Sequence, residues 1–199
     1  METIINKNKL ESFFLTFHFS KHLEMKETLL TLIAEQLPET LTTKDEYYWD
    51  SITNLDWSLS EDFSRPWVQY FKPDLDVILN DVFNVCGYVS TNITSIWFQQ
   101  YQINDTHGWH THSHNFTGVY YLDLPADTPK SQIVNPFTQE HILIPEVGEG
   151  DILIIPSYVI HRAPVIKENI NKTIVSFNFN VNNITAPVMT KINKLGAMY

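Results

Sequence analysis

Four of the eight histidines in this chain fall in one short stretch, His107-Gly108-Trp109-His110-Thr111-His112-Ser113-His114. In an extended strand, residues i and i+2 point to the same face. Two imidazoles at that spacing reach one ion without distorting the backbone, while Thr111 and Ser113 point the other way. Both His110/His112 and His112/His114 have this spacing, and spacing does not choose between them. A third donor must come from a distant segment, and His161 is the candidate. It follows Gly148-Glu149-Gly150, the apolar run through Ile155, and Pro156-Ser157, which read as a tight turn, a buried strand and a Pro-terminated bend. Imidazole binds iron well, and a facial set of three protein ligands leaves positions open for a co-substrate and dioxygen. Lys172, further along, offers a cation to a co-substrate carboxylate. His18, His22 and His141 are isolated and read as surface or packing residues.

The elements that must hold these residues divide by texture. Residues 21–36 carry Leu23, Met25, Leu29, Leu30, Ile33 and Ala34 with helical recurrence, and Pro38 closes the segment. Residues 42–60 read as loop with apolar anchors at Trp49, Ile52, Leu55 and Trp57. A second helix is expected from about Pro66 to Asn84, with Pro73 starting its regular part or splitting it. After Cys86-Gly87 short apolar segments recur at 94–103, 115–124, 132–134, 141–144, 151–155 and 172–181, separated by turn residues. In the last of these, Val175, Phe177, Phe179 and Val181 alternate with Lys172, Ser176, Asn178 and Asn180, with Ile174 the exception. One face is therefore apolar enough to pack on helices, and the other looks into solvent or into a polar cavity. Helices followed by many short strands predict an α+β, mainly β chain. The expectation is one domain over 1–199, with 1–88 a helical support region and 89–182 the β core.

Composition narrows the partners. A formal net charge of −10 argues against nucleic acid or an anionic membrane as the main partner. The single cysteine, Cys86, excludes an intrachain disulfide and a cysteine-based zinc site, and its apolar surroundings predict a small buried hydrophobe. The start, Met1-Glu2-Thr3-Ile4, lacks the basic-then-apolar order of a leader, and no apolar run approaches a membrane span. A cytoplasmic location is expected, in the host cytoplasm if the chain is phage-encoded.

In this order the motifs resemble the 2-oxoglutarate/iron(II) dioxygenase superfamily. The likeness is greatest to a small, prolyl-4-hydroxylase-like family common in phages and marine bacteria. The residues that carry it are Trp109-His110-Thr111-His112-Ser113, Thr117-Gly118-Val119-Tyr120-Tyr121-Leu122, Gly150-Asp151-Ile152-Leu153-Ile154-Ile155-Pro156-Ser157 with His161-Arg162, and Lys172-Thr173-Ile174-Val175-Ser176-Phe177-Asn178. Together they span roughly residues 95–180. The resemblance implies a double-stranded β-helix (jelly roll) with the N-terminal helices packed on one sheet. It implies iron(II) on His110, His112 and His161, and 2-oxoglutarate and dioxygen as co-substrates. Lys172 then replaces the usual arginine for the far carboxylate of 2-oxoglutarate, with Tyr121, Tyr101 and Ser176 beside it. Trp109 and Asn178 would line the substrate mouth. The implied reaction is hydroxylation of an unidentified small molecule or protein.

The sequence departs from the superfamily where its second ligand is usually Asp or Glu, since His112 stands there. Asp105 and Asp123 are the carboxylates that would have to reach the metal instead. Two rival readings remain: a cupin-like metal enzyme that needs no 2-oxoglutarate, and a non-enzymatic metal-binding phage protein. Substrate identity and oligomeric state are not legible.

Overall fold

The computed structural model describes residues 10–44 and 49–196. The four opening residues examined for a leader lie outside the described residues. Among the described residues no helix is long and apolar enough to cross a membrane.

The chain begins with strand β1 (Leu15–His18) and helix α1 (His22–Ala34). Met25, Leu29 and Ile33 recur every four residues and are buried, so they form one stripe, while Leu23 falls off it and is exposed. Strands β2 (Glu39–Lys44) and β3 (Trp49–Leu55) then pair antiparallel. This corrects the loop expected over 42–60. Helix α2 (Pro66–Val85) starts with Pro66, whose fixed φ suits the first turn, and runs unbroken through Pro73. It buries Trp67, Val68, Phe71, Leu75, Leu79 and Phe83. Cys86 caps its end and is exposed, contrary to expectation, because the buried stripe has already turned inward at Phe83.

The remaining strands are β4 (Tyr88–Tyr101), β5 (His107–His110), β6 (Phe116–Asp123), β7 (Gln132–Val134), β8 (Ile142–Leu143), β9 (Asp151–Pro156), β10 (His161–Ala163) and β11 (Lys172–Ile184), followed by helix α3 (Ala186–Gly196). Helix α3 was not foreseen; it has no buried residue. All the strand pairs among the described residues are antiparallel. One sheet has the order β1-β9-β6-β11-β4-β3-β2 and the other β5-β10-β7-β8. Strands β1, β2 and β3 extend the large sheet at both edges, so the N-terminal region contributes strands as well as helices.

Alternation sorts the large sheet into two faces. Ile96, Phe98, Tyr120, Leu122, Ile152, Ile154, Val175, Phe177 and Phe179 join the helix stripes in one apolar core. The jelly-roll arrangement with helices on one sheet is therefore observed. Gly118 and Phe177 are cross-strand partners, and a β-carbon on Gly118 would stand 2.2 Å from the Phe177 ring. Glycine is the residue that lets that ring lie flat across β6. The opposite face, toward the small sheet, carries Val119, Tyr121, Leu153, Ile155 and Ile174 against Ile133 and Ala163. Trp97, Gln99, Tyr101, Lys172, Ser176 and Asn178 share its parity along β4 and β11, so the polar side of the last long strand faces a cavity rather than solvent.

Candidate metal centre

Three imidazoles meet between the two sheets. His161 opens β10 and is the direct cross-strand partner of His110, the last residue of β5. His112 lies beyond the strand end, where its backbone N–H donates to the Ser157 carbonyl at 2.8 Å. The strand geometry expected for 110 and 112 thus holds only for the first, and a single backbone bond to the turn after β9 places the second. One donor atom from each of His110, His112 and His161 lies within 4.8 Å of the others. Ring centroids are 4.3 Å apart for His110–His161, 5.0 Å for His110–His112 and 5.2 Å for His112–His161. Such a cluster can hold one metal ion.

Hydrogen bonds set the rings for that task. His110 Nδ1 donates to the Gly108 carbonyl at 2.7 Å, and His161 Nδ1 donates to the Val159 carbonyl at 2.9 Å. A carbonyl accepts only, so Nδ1 carries the proton and Nε2 keeps its lone pair. Burial holds the imidazoles neutral: that of His161 is lowered to about 3 and that of His112 to about 4, each helped by neighbouring histidines. Burial also lowers His110, opposed by the Gly108 carbonyl and Asp50. Neutral imidazole is the form that binds a metal.

His107 stacks on His110 with centroids 3.8 Å apart, and its Nε2 lies 3.8 Å from Asp50 Oδ1. His114 is not part of the clustered triad, and its buried Nδ1 has no hydrogen-bond partner. Neither carboxylate considered as a ligand joins. Asp105 is occupied by Ser51, Thr53 and the Gln102 N–H, and Asp123 pairs with Lys26. His18 bonds Asp151, and His22 bonds Tyr120 and Glu149, well apart from the cluster in packing roles.

On the same face of the large sheet, Lys172 is 2 % exposed and has no carboxylate partner among the described residues. Its Nζ donates to the Pro129 carbonyl at 2.9 Å and lies 5.6 Å from the ring centroids of both Tyr101 and Tyr121. Burial pulls its pKa down to about 8. The Tyr121 hydroxyl is committed to Ser131 at 2.8 Å, whereas the buried Tyr101 hydroxyl has no partner. Ser176 Oγ donates to Gln99 Oε1 at 3.0 Å, linking β11 to β4. The cradle thus presents one buried cation and one free hydroxyl, a donor set that fits a carboxylate. The cavity enclosed by the three histidines with Tyr101, Ser131 and Ser176 is narrow, about 20 Å³ as the side chains stand, and Lys172 is not among its lining residues, so an occupant reaching Lys172 requires side chains to move.

On the outer side the cluster meets two open grooves that share Trp57, Thr111 and His112. One, of about 640 Å³, includes Glu61, Ser95, His114 and Asn178. The other, of about 370 Å³, includes Asp50, Trp97 and His107. Asn178 lines the first of these grooves. Trp109 does not line either groove: its ring packs under the Arg162 guanidinium at 4.4 Å. Trp97 and Gln99 were not singled out from the sequence, and Trp57 and His107 were noted there without a site role. Alternation through β4, with Ile96 and Phe98 toward the helices, is the signal that would have found Trp97 and Gln99. Trp57 is fixed by the buried Asp56, which accepts from Arg65, from Trp67 Nε1 at 2.9 Å and from the Phe98 N–H at 2.9 Å.

No family model matches this sequence, and no curated protein matches it. Solved structures do. An oxidoreductase of the 2OG-Fe(II) oxygenase family from Burkholderia pseudomallei has a TM-score of 0.67 at 12 % identity, over 83 % of this chain and 84 % of that one. The collagen prolyl hydroxylase of Paramecium bursaria Chlorella virus-1, solved as a 2OG complex, has a TM-score of 0.56 at 11 % identity, over 85 % and 96 %. The non-heme α-ketoglutarate-dependent epimerase SnoN from nogalamycin biosynthesis has a TM-score of 0.61 at 9 % identity, over 86 % and 77 %. Two antiparallel sheets enclosing a histidine cluster, with helices on the large sheet alone, give this chain the double-stranded β-helix fold of the 2-oxoglutarate/iron(II) oxygenases and prolyl 4-hydroxylases.

Proposed function

We propose that this chain is a non-haem iron(II) oxygenase that consumes 2-oxoglutarate and dioxygen and hydroxylates an organic substrate. The observation that carries the reading is the convergence of three neutral imidazoles from separate segments beside a buried lysine with no carboxylate partner. A buried, unpaired ammonium is costly, and an incoming carboxylate relieves that cost. His110, His112 and His161 would hold the iron through Nε2, their Nδ1 atoms being committed to backbone carbonyls in the first and last. Lys172 and the Tyr101 hydroxyl would bind the far carboxylate of 2-oxoglutarate, and Tyr121 would brace the lysine through its ring. When bound, the iron supplies the oxidising chemistry that converts 2-oxoglutarate, dioxygen and a C–H bond into succinate, carbon dioxide and an alcohol. The fold also serves an epimerase and a carbocyclase, so hydroxylation is the part of this reading that rests most on the prolyl hydroxylases among the similar structures.

The narrowness of the cavity beside the histidine cluster, whose lining does not include Lys172, favours one rival, a metal-dependent enzyme that needs no 2-oxoglutarate. Purified protein with iron(II), ascorbate and labelled 2-oxoglutarate separates the two. Release of labelled carbon dioxide together with succinate, abolished in the variant His110→Ala, is the expected result. Metal binding without any 2-oxoglutarate turnover would support the rival instead.

A further inference from the structure

The two grooves outside His112 differ from the surroundings of Lys172 in chemistry. Among the described residues neither groove is lined by a lysine or an arginine, while each contains a carboxylate, Glu61 in one and Asp50 in the other. Asn178 is 6 % exposed, and its Nδ2 donates to Ser95 Oγ at 3.0 Å. That bond fixes the amide and leaves Oδ1, buried at the groove wall, without a hydrogen-bond partner. A buried acceptor without a donor costs about 1–3 kcal/mol, so a ligand that brings a donor is favoured there. Trp57, 57 % exposed, stands where the grooves join and offers an aromatic face. Unfilled acceptors, an aromatic face and no competing cation are the elements of ammonium recognition. The net charge of −10 draws cations toward the molecule and repels phosphates and carboxylates.

We infer that the grooves form one cleft for an amine-bearing substrate. The substrate's ammonium sits among Glu61, Asn178 Oδ1 and the Trp57 face, and its carbon chain runs past His112 toward the histidine cluster. This inference rests on the metal-centre reading, whose site it extends. Asn178 and Lys172 then act at opposite ends of one polar face, the first admitting a cation and the second an anion.

The test uses the full chain with manganese(II) and 2-oxoglutarate, with manganese uptake followed by electron paramagnetic resonance. Titration calorimetry then compares three chain-matched probes, n-hexylamine, hexan-1-ol and hexanoate. Hexylamine should bind about tenfold more tightly than hexanol, a margin typical of a desolvated cation–aromatic and carboxylate contact. Hexanoate should bind most weakly. Glu61→Gln and Trp57→Ala, both at exposed positions, should each remove most of the preference, and Asn178→Asp should strengthen it. Equal affinity for amine and alcohol, or tightest binding of hexanoate, overturns the inference. Manganese uptake without amine preference removes this inference alone. Amine preference without manganese uptake upholds the cleft and removes the metal centre.

Discussion

The two faces of the seven-stranded sheet are built from the same strands and are chemically opposite. Toward the helices, β4, β6, β9 and β11 present aliphatic and aromatic side chains that close a dry core with α1 and α2. Toward the small sheet, the intervening residues include Gln99, Lys172, Ser176 and Asn178, all buried and all polar. Burying each large apolar side chain stabilises by about 1.5–3 kcal/mol, whereas burying an ammonium without a counter-charge is unfavourable. The first face provides stability that the second face, with its buried polar groups, gives up. The contrast teaches where substitutions should damage folding and where they should damage only binding.

The largest effect is expected on the ligand face at the histidines. His161→Ala should lower iron-dependent 2-oxoglutarate turnover by about 100-fold or more, as loss of a metal ligand does, while His18→Ala, outside the cluster, leaves turnover unchanged. Equal turnover in both variants, measured as succinate, would erase the distinction between the faces. Next is Lys172→Met. It should weaken 2-oxoglutarate binding about tenfold or more while sparing metal uptake, since only the carboxylate's partner is lost. It should also stabilise the chain. The lysine falls from 10.5 to about 8 on folding. Its unfavourable contribution, about 3 kcal/mol by linkage, is then full below pH 8 and fades as pH rises toward 10.5. Denaturant melts of both proteins across that window check the sign.

On the helix face the expectation reverses. Gly118→Ala should cost about 1–3 kcal/mol through overpacking against Phe177, read as a lower melting temperature, with the metal affinity of the folded fraction unchanged. The smallest effect should come from His112→Asp, which exchanges a neutral ligand for an anionic one. Metal should still bind within about tenfold of the original affinity, because carboxylate and imidazole both suit iron(II). Loss of metal binding in that variant would mean that the backbone bond from His112 to Ser157 places only an imidazole within reach.

Much of this contrast was legible before the structure. The alternation in 172–181 announced both faces of β11, and the recurrence of apolar residues through α2 gave the helix that covers one of them. His161 was readable from its place after a Pro-terminated strand. Other parts were hidden for physical reasons. Strand β2 is Glu-Thr-Leu-Thr-Thr-Lys at the sheet's edge, with four residues of six exposed, so it lacks the apolar alternation that marks a half-buried strand. Strand β3 looked like scattered anchors because only Ile52, Leu55 and the polar Asp50 are buried in it. The exposed Cys86 follows from where α2 ends, a boundary that local hydrophobicity does not fix. The choice of His110/His112 over His112/His114 depended on a bond to Ser157, which no local pattern contains.

Strand β11 is hydrogen-bonded along both edges, to β4 on one side and β6 on the other. It therefore behaves as a rigid measuring bar inside the molecule. Lys172 and Asn178 are fixed to it about 20 Å apart, at the rise of an extended chain. The span is closed at Lys172, which is buried, and open at the Asn178 groove, so the length of an occupant is limited at one end alone.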